Sequence, residues 1–528
     1  MFGQGRQYSR LPAEHRESPW RNHTASLLAG LLLVALAALL FLYNLNWCPK
    51  TWFDEGEFLQ VPKNLVLYGK YAMKSSEGFR YFDPSLTTGP TVLFPIAALF
   101  KIFGIGLVQA RIVVVTYAIA LLVLLYRFVR SMDNWRTALV AVGLLVSAPW
   151  TAFLVLGRQV MGEVPAFTFV LLGLYLWWNS IDKESRAFSM GSGVAFGLAV
   201  LAKPQSALIW PALVLIGLVD RLYYRSLKAR HWLFPCLISI GFLGAWYGVQ
   251  WAVLGTNEFL AQLELTGSAT GATLAVVLPR RILANLNGLG RSGYLIWGLP
   301  ALVYQGLVTV RKKRSGVKEF FVISVVLIWL LWFVFGSVGW ERYAFTPMGL
   351  TCIFIARLFH DVTDGFHVKK RGLISEVVNG HTGPALGKLA LILLPFSLII
   401  YGLLAQINTI ATEADRTPQA FADYLNAHVD KSEVIETWEW EIAFLTDHNY
   451  HHPAFEVLEA MIRHVQFGAP FDETMYDFRQ FHPKHLIDGP FSKWTQLYPK
   501  EFLQQQCELV TRVGKYDLYR IGRESGLP

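Results

Sequence analysis

Residues 25–47, ASLLAGLLLVALAALLFLYNLNW, run without a charge toward WFDEGE at residues 52–57, and this junction decides the fold. An uncharged run of that length crosses a bilayer, at ~20 residues per crossing. It is too long for a cleaved leader and lacks the small-residue exit that a leader carries. Arg6, Arg10, Arg16 and Arg21 precede it, so the positive-inside bias predicts a cytoplasmic N-terminus over residues 1–24 and places Asp54 on the other side. The acids that follow are either ordinary solvated loop charges or the working end of an enzyme.

Composition points to the same class. The 528 residues are 53% hydrophobic, 14% aromatic and only 16% charged, with a mean hydropathy of +0.37. That is too little charge to cover a soluble globule of this size. The net charge of +9 conceals an asymmetry: from Asn408 onward 19 acidic residues stand against 11 basic ones, so the excess of positive charge lies in the apolar part. Nucleic-acid binding is a poor explanation, because that charge is dispersed over short loops where topology already accounts for it. Cys48, Cys236, Cys352 and Cys507 are far apart and have no metal-ligand spacing.

Further apolar runs follow at about 107–126, 137–156, 164–180, 189–202, 205–221, 233–253, 292–310, 320–337, 343–358 and 388–406. The basic connections Arg221 to His231, Arg311 to Arg314 and Lys369 to Arg371 fall on alternate loops, as one orientation requires. The expectation is an α-helical polytopic membrane protein of about eleven spans, with the membrane domain at 25–407 and a large first outer loop at 48–106. Within that loop Thr88 to Gly106, broken by Pro90, Pro95 and Gly104, reads as a re-entrant or interfacial helix. After Ile407 hydropathy collapses. Thr417 reads as an N-cap and Pro418 as the first helical residue, and Glu433–Thr437, Glu508–Val513 and Tyr516–Ile521 read as strands, the last two joined at Gly514. Residues 408–528 are thus expected to form a small extracytoplasmic α/β domain.

All the unusual polar residues fall on the expected outer face. Asp54 and Glu55 follow the first span, where a carboxylate within hydrogen-bond reach of a hydroxyl can act as a general base. Glu163, in GRQVMGEVP at 157–165, stands at the mouth of a span with Arg158 as the nearest possible partner in sequence. Arg342, in WERY at 340–343, has the planar fork that suits phosphate, although an aromatic and arginine belt is ordinary at membrane edges. Lys203 precedes Pro204 and either snorkels to the headgroups or meets a lipid phosphate. His448, His451 and His452 match no metal-ligand motif. Trp438, Glu439, Trp440 and Glu441 suit packing or glycan contact.

In this order and on one face, the motifs over about residues 25–350 resemble the GT-C superfamily of polytopic glycosyltransferases. They are the Asp54 and Glu55 pair, the Gly104 and Arg111 segment, Arg158 to Pro165, Gly197 to Pro204, and Glu341, Arg342, Tyr343 and Pro347. The resemblance is nearest to the protein O-mannosyltransferase and aminoarabinose (lipid A) transferase branch. It implies an inverting enzyme of the plasma or inner membrane that moves a sugar from a polyprenyl-phosphate donor to an extracytoplasmic glycan, lipid or protein. By the same resemblance Asp54 is the general base and Glu55 and Glu163 accompany it. Arg342, with Arg158, Lys203 and Tyr343, neutralises the departing phosphate, and no cofactor or obligatory metal is implied. Many relatives carry a His or Lys before a Pro-Pro-Leu stretch where this chain reads FDPSLTTGP at 82–90, so Lys74 or Arg80 is the expected substitute if the loop supplies a phosphate contact. The rival class is a transporter or lipid flippase, which requires charges deep within spans rather than at one edge.

Overall fold

The computed structural model describes residues 19–366, 382–472 and 475–522. Helices α1 (Pro19–Leu42) and α2 (Phe53–Tyr68) lead into a hairpin of β1 (Ala72–Ser75) and β2 (Gly78–Tyr81). Then come α3 (Pro90–Phe103), α4 (Leu107–Met132), α5 (Trp135–Ser147), α6 (Phe153–Leu156), α7 (Glu163–Asp182), α8 (Arg186–Ala202) and α9 (Ile209–Val219). The bundle closes with α10 (Arg230–Leu254), α11 (Thr256–Thr273), α12 (Pro279–Arg291), α13 (Tyr294–Arg311), α14 (Val317–Gly336), α15 (Phe345–Val362) and α16 (Thr382–Thr412). The chain is a polytopic α-helical membrane protein.

Among the described residues six helices are long and apolar enough to cross a membrane, or eight if each of two bent pairs is one span. Three shorter apolar helices accompany them, at Gly30–Leu42, Pro90–Phe103 and Arg186–Ala202. The expected count of about eleven is therefore not reproduced. Residues 254–291, between the apolar runs at 233–253 and 292–310, hold α11 and α12, and α12 meets α13 at 92°.

The C-terminal domain orders α17 (Thr417–His428), β3 (Val434–Thr437), α18 (Trp440–Leu445), β4 (Asn449–His451), α19 (Phe455–Phe467), β5 (His485–Asp488), α20 (Pro490–Thr495), α21 (Lys500–Gln506), β6 (Cys507–Val513) and β7 (Tyr516–Ile521). Its five-stranded sheet runs β4-β3-β5-β7-β6. β3 is parallel to β4 and β5, and β7 is antiparallel to β5 and β6. Gly514 turns the last hairpin at φ +58. Thr417 is the first residue of α17 rather than its cap; the Asp415 carboxylate accepts its N–H at 2.8 Å.

The domain is bound to α2. Gly56 is required there, because a Cβ would lie 2.1 Å from the Glu441 backbone nitrogen. Buried Lys63, two turns on, donates to the carbonyls of Ala443, Phe444 and Thr446 at 3.2, 3.0 and 2.6 Å and pairs with Asp447 at 3.0 Å. It thereby satisfies the orphan carbonyls at the C-terminal end of α18, where a cation is favoured. Phe53 stacks on Phe491 at 3.7 Å, and Arg80 of the hairpin donates to the carbonyls of His452 and Pro453, both at 2.7 Å.

Candidate active site

Four chain segments bring charge to one point, and each is placed by a helix end. Asp54 lies in the first turn of α2 and Glu163 is the first residue of α7, positions where exposed N–H groups favour a carboxylate. Arg342 sits in a single 3₁₀ turn, Glu341–Ala344, just before the buried α15, with its guanidinium over Trp340 at 4.8 Å. Lys203 ends α8. Pro204 after it disfavours the helical conformation and holds Lys203 extended at φ −153, ψ 123. Gly162 lets the α7 start close on this turn, since a Cβ there would lie 2.6 Å from the Ala202 carbonyl and 2.8 Å from the Lys203 side chain.

The result is a chain of alternating charges. The Arg342 fork donates to both Asp54 oxygens, Nη1 to Oδ2 at 2.9 Å and Nη2 to Oδ1 at 3.1 Å. Its Nε lies 3.7 Å from Glu163 Oε1, which Lys203 Nζ approaches to 3.0 Å while also donating to Thr87 at 3.1 Å. Lys203 and Glu163 are buried, whereas Asp54 and Arg342 keep 19% and 18% exposure and are the members open to a ligand. Burial alone pushes the Asp54 carboxyl up, but the adjoining Arg342 outweighs it and holds the group below the usual carboxylate range. One turn along α2, burial and then Asp83 push Glu57 well above that range.

Asp54, Glu57, Arg342 and Tyr343 open on a cavity of about 870 Å³ between the bundle and the C-terminal domain. Loop 82–90, α8, α10 and α11 form its mostly apolar bundle side, and α19 and α20 close it from the domain side. This size and lining are typical of small-molecule sites, which run to ~300–1,000 Å³.

The structure thus brings together Asp54, Glu163, Lys203, Arg342 and Tyr343. It places the other three candidates elsewhere. Glu55 is fully buried in a two-pronged ion pair with Arg111, at 2.8 and 2.6 Å, and accepts the Val160 N–H at 2.9 Å. The carboxylate faces away from the cavity lining and ties α2 to α4 and to the loop before α7. Arg158, the sequence neighbour of Glu163, is spent on backbone carbonyls: Leu40, Tyr43 at 2.5 Å and Cys48 at 3.0 and 2.8 Å. It caps the end of α1. Lys74 is exposed on β1 and donates to Tyr68 at 3.1 Å. Arg80, the alternative to Lys74, is held by the C-terminal domain. Glu57, Asp83 and Thr87 were not singled out from the sequence; the spacing of Asp54 and Glu57 at i and i+3 on one helix was the available signal. His451 meets Glu436 at 2.5 Å and His452 the Thr437 carbonyl at 2.9 Å, so these rings are used in packing the domain. Cys48 and Cys507 are both free thiols.

Removing one partner of a buried ion pair costs about 3–5 kcal/mol, while replacing both by apolar groups can be near neutral. Glu55→Gln is therefore expected to lower the thermal midpoint of the detergent-solubilised protein sharply, and the double change Glu55→Met with Arg111→Met to recover part of it, the Val160 N–H and Leu45 carbonyl being left without their partners. Fluorescence-detected thermal unfolding reads both.

Comparison with known proteins agrees with this architecture. Residues 87–246 match the model of the family described as dolichyl-phosphate-mannose-protein mannosyltransferase. A protein of Aquifex aeolicus (strain VF5), described only as uncharacterized, is 23% identical over 231 residues, and the match spans 44% of this chain and 45% of that protein. ArnT from Cupriavidus metallidurans, solved bound to undecaprenyl phosphate, superposes with a TM-score of 0.61 at 14% identity, covering 97% of this chain and 100% of ArnT. The Archaeoglobus fulgidus oligosaccharyltransferase AglB, in complex with an inhibitory peptide and a dolichol-phosphate, gives 0.58 at 11% identity over 96% of this chain and 75% of its own. At these identities the likeness is one of fold. The chain has the fold of the GT-C glycosyltransferases, in the form that resembles the ArnT and protein mannosyltransferase branch.

Proposed function

We propose that the protein transfers a sugar from a polyprenyl-phosphate donor to an acceptor hydroxyl on the extracytoplasmic side of the membrane, with Asp54 as general base. The observation that carries this is the two-pronged Asp54–Arg342 pair at the floor of the cavity, in a fold whose neighbour ArnT was solved with undecaprenyl phosphate. The acceptor oxygen attacks the anomeric carbon, the bond from that carbon to the phosphate oxygen breaks, and the acceptor proton passes to Asp54. Charge develops on the departing phosphate, where a preplaced guanidinium stabilises the transition state more than the ground state. Glu163 and Lys203, behind Arg342, fix its position. In this reading the N-terminus is cytoplasmic, and the cavity and C-terminal domain lie outside.

Attack with inversion needs base and leaving group on opposite faces of the sugar, so Asp54 and Arg342 cannot stay in contact during the reaction. The donor phosphate takes over the guanidinium and Asp54 is released. A carboxylate that loses its cation becomes a stronger base. The acid limb of kcat/KM, which reports the free enzyme, is therefore expected below the ordinary carboxylate range, and the acid limb of kcat at higher pH. Initial rates from pH 3 to 8 at saturating and limiting donor separate the two; coincident limbs overturn the release of Asp54.

The direct test is transfer of label from a radiolabelled polyprenyl-phosphate sugar pool into acceptor by membranes with and without the protein. Label moving only when the protein is present supports the proposal. No transfer with any donor overturns it.

A further inference from the structure

The cavity lining has an ionic part and an aromatic part, and the donor accounts for the first. Arg342 is the one cation among the described lining residues, and it stands beside acids: Asp54, Glu57, Asp83, Glu341 and Glu459. A second phosphate or carboxylate has no counter-charge there. Beside Asp54, α20 and the start of α2 form an aromatic wall, in which the Trp52 side chain hydrogen-bonds the Asp54 carboxylate. Phe491 is stacked on Phe53 at 3.7 Å, with Trp52 edge-on at 6.1 Å and Trp494 at 5.6 Å. Trp494 is 45% exposed and lines the cavity. Carboxylates accept hydrogen bonds from hydroxyls, and an aromatic face attracts the slightly positive C–H groups on the flat side of a pyranose.

We propose that the wall of Trp52, Phe53, Phe491 and Trp494, facing the acids of the cavity, is an acceptor subsite for a neutral saccharide. This rests on the transferase reading for the word acceptor, although the saccharide subsite itself does not. Trp52 and Trp494 stack on a sugar face, backed by the buried Phe53–Phe491 pair; Asp83, which also accepts from Ser85, and Glu459, which also accepts from Ser268 and Arg463, take hydroxyl hydrogen bonds on their remaining lone pairs, and Trp494 covers its exposed face when the sugar arrives. An acceptor carrying phosphate or uronic acid beside the wall is disfavoured because no cation of the described lining is left to meet its charge once the donor phosphate holds Arg342. A peptide acceptor is the less suited alternative. The β4 edge of the sheet, where an extended chain would add, already pairs with the hairpin through Ser76 N–H to the Tyr450 carbonyl at 2.7 Å.

The test is direct binding to the full-length protein in detergent, by quenching of tryptophan fluorescence. The probes are neutral trisaccharides (mannotriose, cellotriose, maltotriose), a trisaccharide of glucuronic acid, a serine- and threonine-rich peptide, and undecaprenyl phosphate. The expected result is saturable binding of at least one neutral trisaccharide, weakened about tenfold by Trp494→Ala and largely restored by Trp494→Phe, with undecaprenyl phosphate binding unchanged. Binding of the acidic sugar or the peptide in preference overturns the proposal, as does no binding by any neutral trisaccharide, or equal binding by Trp494→Ala. Trisaccharide binding without any binding of undecaprenyl phosphate leaves the subsite standing and removes the donor reading instead.

Discussion

Membranes bearing Asp54→Asn are expected to bind donor lipid as the native protein does and to lose transfer by ~10²–10⁴-fold, the usual contribution of a positioned general base. The amide keeps the size of the carboxyl but cannot accept the acceptor's proton, and the variant no longer holds Arg342 by charge. The guanidinium then meets the donor phosphate without first leaving the Asp54 carboxylate, so donor KM should stay level or fall while kcat collapses. That combination distinguishes a missing base from a damaged site, in which both parameters worsen. Label transfer at matched expression, with donor KM read separately, gives the answer; unchanged transfer would make Asp54 an ordinary loop charge.

Arg342→Gln should lose ~10²–10³-fold in turnover, the scale seen when one preorganised electrostatic group is removed from a transition state. Arg342→Lys restores the charge but not the fork that presently meets both Asp54 oxygens, and should recover only part of the rate. The glutamine variant has a second signature. Without the guanidinium, the largest counterweight to burial is gone and only Lys203 and a Trp52 hydrogen bond still hold the Asp54 carboxyl down, so its pKa rises and the acid limb of the remaining activity shifts to higher pH. A rate loss with no movement of that limb would place Arg342 outside the reaction.

Much of the membrane part was legible because lipid imposes a simple rule: a backbone crossing it must be helical and apolar. The final hairpin was legible for a local reason, since β6 and β7 are adjacent and turn at a glycine. The parallel pairings of β3 with β4 and β5 were not, because they join segments separated by helices and leave no short-range pattern. The candidate site shows the same division. Helix ends and their charges could be read from hydropathy, which put Asp54, Glu163, Lys203 and Arg342 on one face. Partner choice could not. Arg158 is five residues from Glu163 and looks like its mate, yet packing turns it to the carbonyls at the end of α1, and Glu163 pairs with residues 40 and 179 positions further along the chain. Glu55 looks as reactive as Asp54. On a helix, consecutive side chains point about 100° apart, so one faces the cavity and the other faces Arg111.

The hold of Lys63 and Gly56 on α18 bears on how such proteins can diversify. The helix that offers Asp54 to the cavity is also the seat of the C-terminal domain, so that domain cannot be exchanged as a cassette. A transplanted domain without carbonyls placed for Lys63 would strand a cation in the interface, and one with a side chain against Gly56 would tilt α2 and Asp54 with it. Successful chimeras should be those cut before residue 53 and after residue 68, so that α2 travels with the domain it carries.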